Sequence, residues 1–167
     1  MRSGIIAVCP GSFDPITMGH LDIIRRASHM FQQVIVVVMT NTSKAPSFSV
    51  AERLAMIRKA TAAIPNVEVD AYGGLLADYT RQKDAKVIVK GLRAMSDFEY
   101  EFQMSLTNKK LNPEAETVFL TTSAEYMYLS SSMVKLIGSM DGDIRDFVPA
   151  VIHEDIKRRL SGKDAIK

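Results

Sequence analysis

The sequence has one cysteine, Cys9, so a chain cannot close a disulfide on itself. That fits a reducing compartment, and a cytoplasmic location is expected. No apolar run approaches the roughly 18 to 20 residues that a membrane span needs. The opening residues, Met1 to Ile6, carry no long apolar stretch of the kind that marks a secretory leader. Net charge is scarce too. Lys and Arg number 21 against 19 Asp and Glu, leaving +2. A field that weak gives no argument for nucleic acid or a membrane surface as partner. Internal repeats and low-complexity tracts are absent. So are G-x-G-x-x-G and the Walker A sequence, which argues against dinucleotide binding and P-loop hydrolysis. No Ser-His-Asp arrangement and no activated cysteine is visible, so covalent catalysis has no constellation to rest on.

What is present suits one domain. The 167 residues are 47% hydrophobic, enough for a core. The domain is expected over residues 1–160, with 161–167 a frayed tail. Short β-branched runs read as buried strands at 5–9, 34–38, 67–69, 87–89 and 118–120. Helices are expected at about 21–30, 49–64, 75–83 and 97–111. The second opens on a capping box, Ser49-Val50-Ala51-Glu52. A helix near 131–139, a turn at Asp141-Gly142 and a last helix at about 149–160 follow. Strand and helix alternate four times before a fifth strand. That order predicts an α/β fold: a doubly wound, Rossmann-like, five-stranded parallel sheet, helices on both faces and a C-terminal helical segment. Ligands of such sheets bind beyond the carboxyl ends of the strands. The loops at 10–19, 40–49, 71–74, 90–96 and 121–130 are therefore the places to seek chemistry.

The first loop runs Pro10-Gly11-Ser12-Phe13-Asp14-Pro15-Ile16-Thr17-Met18-Gly19-His20. It has what phosphate binding requires. Gly11 permits close backbone approach, Ser12 adds a donor, and the next helix points its N-terminus into the site. His20 stands where an imidazole can donate to a phosphate oxygen. Cys9 reads as a small buried apolar group, His29 and His153 as surface residues, and the ten methionines as core filler.

Gly11-Ser12-Phe13-Asp14-Pro15 followed by Thr17-Met18-Gly19-His20 resembles the (T/H)-x-G-H signature of the nucleotidylyltransferase superfamily. Gly91-Leu92-Arg93, then Asp97-Phe98-Glu99-Tyr100-Glu101, then Ser130-Ser131-Ser132 narrow the likeness to the bacterial phosphopantetheine adenylyltransferase family. The similarity runs from about residue 5 to 160. The resemblance implies adenylyl transfer from ATP to 4′-phosphopantetheine, giving dephospho-coenzyme A and pyrophosphate. It also implies Mg²⁺ delivered with ATP, a homohexamer and coenzyme A as feedback inhibitor.

By the same resemblance, His20 is the catalytic residue, stabilising the transition state at the α-phosphate, and Thr17 offers a hydroxyl nearby. Ser12, Lys44, Leu76 and Lys90 bind the acceptor. Ser12, Phe13, Thr17, His20, Gly91, Leu92, Arg93, Glu101, Tyr126, Met127, Tyr128, Leu129, Ser130, Ser131 and Ser132 form the ATP site. The position of Lys90 is more often arginine in that family; lysine keeps the charge but loses the planar fork. Taken singly, several of these have plainer readings. Lys44 suits a solvated loop lysine, the acids of 97–101 suit the start of any helix, and the three serines suit an N-cap. Two rivals stay open: a superfamily member with another acceptor, and a non-catalytic nucleotide sensor on the same fold.

Overall fold

The β-branched runs form the strands their continuity predicts. The computed structural model describes residues 3–40 and 45–162. Its elements are β1 (Ser3–Gly11), α1 (Met18–Met30), β2 (Phe31–Met39), α2 (Val50–Thr61), β3 (Val67–Tyr72), α3 (Leu76–Gln82), β4 (Val87–Leu92), α4 (Met95–Leu111) and β5 (Glu116–Thr121). A 3₁₀ turn (Ala124–Tyr126), α5 (Ser131–Ser139), another 3₁₀ turn (Ala150–Ile152) and α6 (His153–Leu160) complete them. The expected capping box is present: the Ser49 side chain accepts from the Glu52 N–H, and the Glu52 carboxylate accepts from the Ser49 N–H at 2.6 Å. That helix stops at Thr61, short of the expected 64, where residues 62–63 form a turn ahead of Pro65.

All strand pairs are parallel, in the order β3-β2-β1-β4-β5. Successive side chains of a strand point to opposite faces, and the core divides accordingly. Ala7, Cys9, Val34, Val36, Val38, Val87 and Val89 face the larger cluster, built with Ile23 and Ile24 of α1, Met56 and Ile57 of α2, Val134 of α5 and Ile156 of α6. Val8, Ile35 and Val37 face a smaller one with Tyr79 of α3 and Ala85. The chain winds outward from β1 to β3, then returns to lay β4 beside β1. This reversal opens a crevice at the carboxyl ends of β1 and β4.

The smaller face is thinly covered. In α4, apolar residues alternate as Phe98, Tyr100, Phe102, Met104 and Leu106. A period of two on a helix puts them on both sides of it. Phe98 packs edge-on against Phe119 of β5, with ring centroids 6.1 Å apart, while Tyr100, Met104, Leu106 and Leu111 stay exposed. The methionines depart from the expectation of core filler. Met56 is buried, but Met30, Met95, Met104, Met127, Met133 and Met140 are exposed.

Candidate active site

A cavity of about 410 Å³ fills the crevice between β1 and β4. Its floor is the first loop. Gly11 ends β1, and a Cβ there would stand 3.0 Å from the Phe13 ring, which folds back over it. Phe13 itself adopts φ 48°, a conformation few non-glycine residues take. The loop is tied down from three sides. The Asp14 carboxylate, 6% exposed, accepts from the N–H groups of Ser47 and Phe48 at 3.0 and 2.9 Å. It also pairs with Lys135 of α5 at 3.0 Å. Arg53 of α2 donates to the Ser12 carbonyl at 2.9 Å. Ser131 Oγ donates to the Pro15 carbonyl at 2.7 Å.

His20 lines the cavity at the start of α1, and its ring is locked. The Thr17 N–H donates to Nδ1 at 3.0 Å, and the His20 N–H donates to Thr17 Oγ1 at 3.3 Å. This is a reciprocal cap in which histidine takes the place usually held by Glu or Gln. Because Nδ1 accepts, the ring proton sits on Nε2, leaving that N–H as its free donor. Phe13 meets the ring edge-to-face at a centroid distance of 5.1 Å. Burial, then the charges of Arg93 and Lys90, push the imidazole pKa down to about 4. At neutral pH His20 is therefore an uncharged donor. The first turn of α1 contains no acid to oppose an anion there.

The opposite wall comes from β4 and α4. Lys90 pairs with Glu101 at 3.2 Å. Arg93 pairs with Asp97 at 3.3 Å and donates to the Leu129 carbonyl at 2.8 Å. That second bond draws the loop before α5 against the site. Ser130 caps α5 by accepting from the Met133 N–H at 3.1 Å, so the plain cap reading holds while the residue still lines the cavity. Burial raises the Cys9 thiol to about 12, leaving a protonated group in the wall rather than a nucleophile.

Of the residues expected at the site, the cavity wall brings together Ser12, Phe13, Thr17, His20, Lys90, Gly91, Arg93, Glu101, Leu129, Ser130, Ser131 and Ser132. Five stand outside it. Leu76 packs on the smaller core cluster. Leu92 ends β4 in register with Thr121. Tyr126 packs on the larger cluster. Met127 and Tyr128 are exposed, Tyr128 meeting Phe147 edge-on at 5.9 Å. Lys44 lies outside the described residues, as do residues 163–167 of the expected tail. Asp97, quoted within its string, and Thr122, inside a loop singled out for chemistry, were given no site role, yet both line the wall; Arg53 and Lys135 beneath it were not singled out at all. Asp14 was already inside the quoted loop string; the two cations gave no signal of their own, because their partners are 41 and 121 residues away.

A cavity lined by His20, Lys90 and Arg93 at the switch point of a parallel sheet fits a nucleotidyltransferase-like site, and comparison with known proteins shows the class. The chain matches the cytidylyltransferase-like family over residues 8–137. Its fold superimposes with a TM-score of 0.62 on a Plasmodium falciparum nicotinic acid mononucleotide adenylyltransferase complexed with NaAD, at 17% identity, covering 91% of this chain and 94% of that one. Among curated relatives, a phosphopantetheine adenylyltransferase of Alkaliphilus metalliredigens is 53% identical over 154 residues, 92% of this chain and 98% of that one. Another, from Clostridium tetani, is 54% identical over 158 residues, 95% and 99% of the two chains. The chain belongs to the phosphopantetheine adenylyltransferase family.

Proposed function

We propose that this protein transfers the adenylyl group of ATP to 4′-phosphopantetheine, releasing pyrophosphate and dephospho-coenzyme A. The observation that carries the reading is His20: a neutral imidazole with a fixed tautomer, whose Nε2–H has no acceptor among the described residues, in a cavity flanked by Lys90 and Arg93. A phosphate monoester is mostly dianionic at neutral pH, its second pKa being about 6. It can attack the α-phosphorus directly as pyrophosphate leaves, so a direct in-line displacement needs no protein nucleophile. The protein's task is then positioning and charge stabilisation. His20 donates to the α-phosphate as charge builds there, and its capped ring needs no reorientation to do so.

Ser12, Lys44, Leu76 and Lys90 are assigned to the acceptor. Ser12, Phe13, Thr17, His20, Gly91, Leu92, Arg93, Glu101 and residues 126–132 are assigned to ATP. Among the described residues no group of three or more His, Cys, Asp or Glu is placed to hold a metal ion. Mg²⁺ is accordingly proposed to travel on the triphosphate, where it neutralises charge. The exposed apolar side of α4 supports assembly of copies into the homohexamer. Coenzyme A, which shares chemical groups with both substrates, fits as a feedback inhibitor. Among the described residues no helix is long and apolar enough to cross a membrane; cytoplasmic residence belongs to the same proposal.

The test is pyrophosphate release by purified protein with ATP, Mg²⁺ and 4′-phosphopantetheine. Release that depends on all three is expected. No release with this acceptor, but release with nicotinate mononucleotide, would move the chain to another acceptor class. ATP binding without release from any acceptor would make it a sensor.

A further inference from the structure

Arg53 is a buried cation in an unusual setting. Only 4% of it is exposed. Its guanidinium donates to two carbonyls, Ser12 at 2.9 Å and Ser49 at 3.4 Å. No carboxylate among the described residues pairs with it. Among the described residues, the other lysines and arginines that line or underlie the cavity have one: Lys90 has Glu101, Arg93 has Asp97 and Lys135 has Asp14. A buried charge satisfied by neutral carbonyls alone is costly to keep. Among the described lysines and arginines here, its positive field is the one that no paired acid cancels.

The peptide it holds supplies a second, independent observation. The Ser12–Phe13 bond is trans, so the Phe13 N–H points opposite to the Ser12 carbonyl. The carbonyl turns toward Arg53, which is not in the cavity wall; Phe13 is. Phe13 is 4% exposed, yet its N–H has no acceptor among the described residues. Buried N–H groups nearly always have a partner. An orphan donor beside a cavity, on a peptide whose oxygen is held by a cation, is built to receive an anion. Withdrawing electron density through the carbonyl strengthens the N–H as donor.

We propose that Arg53 is a positioning residue for phosphate recognition. Its guanidinium holds and polarises the Ser12–Phe13 peptide, so that the Phe13 N–H stands ready for a phosphate oxygen. The inference rests on the reading that this cavity takes phosphorylated ligands, and adds to it a residue that never touches them.

The experiment is calorimetric titration of wild type, Arg53→Lys and Arg53→Met with ATP, 4′-phosphopantetheine, and their unphosphorylated counterparts adenosine and pantetheine. Thermal melts run alongside. Arg53→Met should weaken at least one phosphorylated ligand about 10-fold, the scale for losing one charge-assisted contact. Arg53→Lys should fall between it and wild type, and the unphosphorylated ligands should bind as before. Loss confined to ATP places the peptide at the triphosphate; loss confined to 4′-phosphopantetheine places it at the monoester. Equal weakening of phosphorylated and unphosphorylated ligands, or unchanged affinity with only a lower Tm, would overturn the proposal. If Arg53→Met does not fold, the same comparison in Arg53→Lys decides. Wild type that binds neither phosphorylated ligand would instead bring down the functional reading, and this inference with it.

Discussion

The two walls of the cavity are held in opposite ways. On the β1 side the first loop is fixed by bonds into its own backbone or into buried groups: Asp14 to Ser47 and Phe48, Arg53 to Ser12, Thr17 to His20. On the β4 side the charged groups pair with each other through side chains, Lys90 with Glu101 and Arg93 with Asp97, and only Arg93 adds a backbone anchor, to the Leu129 carbonyl. Backbone anchors cannot be exchanged for a ligand without unmaking the loop. Half-exposed ion pairs can, because each contributes little and a phosphate oxygen replaces the carboxylate at small cost. One wall fixes geometry; the other trades partners.

The comparison is broken most severely at His20. His20→Ala should lower kcat by roughly 10²- to 10³-fold, the scale for one preorganised donor, with little change in either KM. A near-normal kcat would remove the fixed wall's chemical role. The same residue sets a pH dependence. Its folded pKa of about 4 lies below the ordinary 6.5, so on acidification the unfolded chain takes up a proton first. The stability that neutral His20 contributes above pH 6.5 should be lost as pH falls from 6.5 toward 4. In His20→Ala, Tm should fall less over that window, which paired melts at pH 7 and pH 5 would check.

Next in size is Asp14→Ala. It strands the buried Phe48 N–H, the half-buried Ser47 N–H and the Lys135 ammonium together, and should cost about 3 kcal/mol of stability. Denaturant unfolding measures this, and a loss well under 1 kcal/mol would show that the fixed wall is not fixed by Asp14. Lys90→Ala should raise the KM for 4′-phosphopantetheine about 10- to 150-fold, and that for ATP by less. Lys90→Arg should be far milder. Equal, small changes in both constants would return Lys90 to a structural partner of Glu101. The smallest effect belongs to Glu101→Gln. Removing the carboxylate that competes for Lys90 should lower the KM for 4′-phosphopantetheine about threefold, with Tm nearly unchanged. A higher KM would mean that Glu101 aims Lys90, and the exchangeable wall would be less exchangeable than its geometry suggests.

The same division explains what could be read from the chain. Strands of a parallel sheet are buried on both faces, so runs such as Val34-Ile35-Val36-Val37-Val38 declare themselves. The first loop was legible as a cavity wall because the residues that line it lie close together in the sequence. The cap between Thr17 and His20 was not, since the familiar pattern expects an acid or amide three residues after the cap. Arg53 and Lys135 read as ordinary helix cations until the fold brings their partners to them. The exposed methionines were misread for a related reason: whether an apolar side chain faces the core or the outside of α4 and α5 depends on what packs there, which residue type does not record.

Cys9 carries a last consequence. The proposed acceptor ends in a free thiol, and the protein's one thiol stands in the wall of the cavity that would receive it. Two such groups exchange into a mixed disulfide only when one is ionised and can reach an oxidised partner. With its pKa raised to about 12, Cys9 is ionised to about one part in 10⁵ at pH 7, and it is only 4% exposed. A sulfhydryl compound in this cavity would thus not be captured by Cys9. For the experimenter, neutral-pH alkylating reagents should pass the native chain by, so a cysteine introduced on its surface would take a label alone.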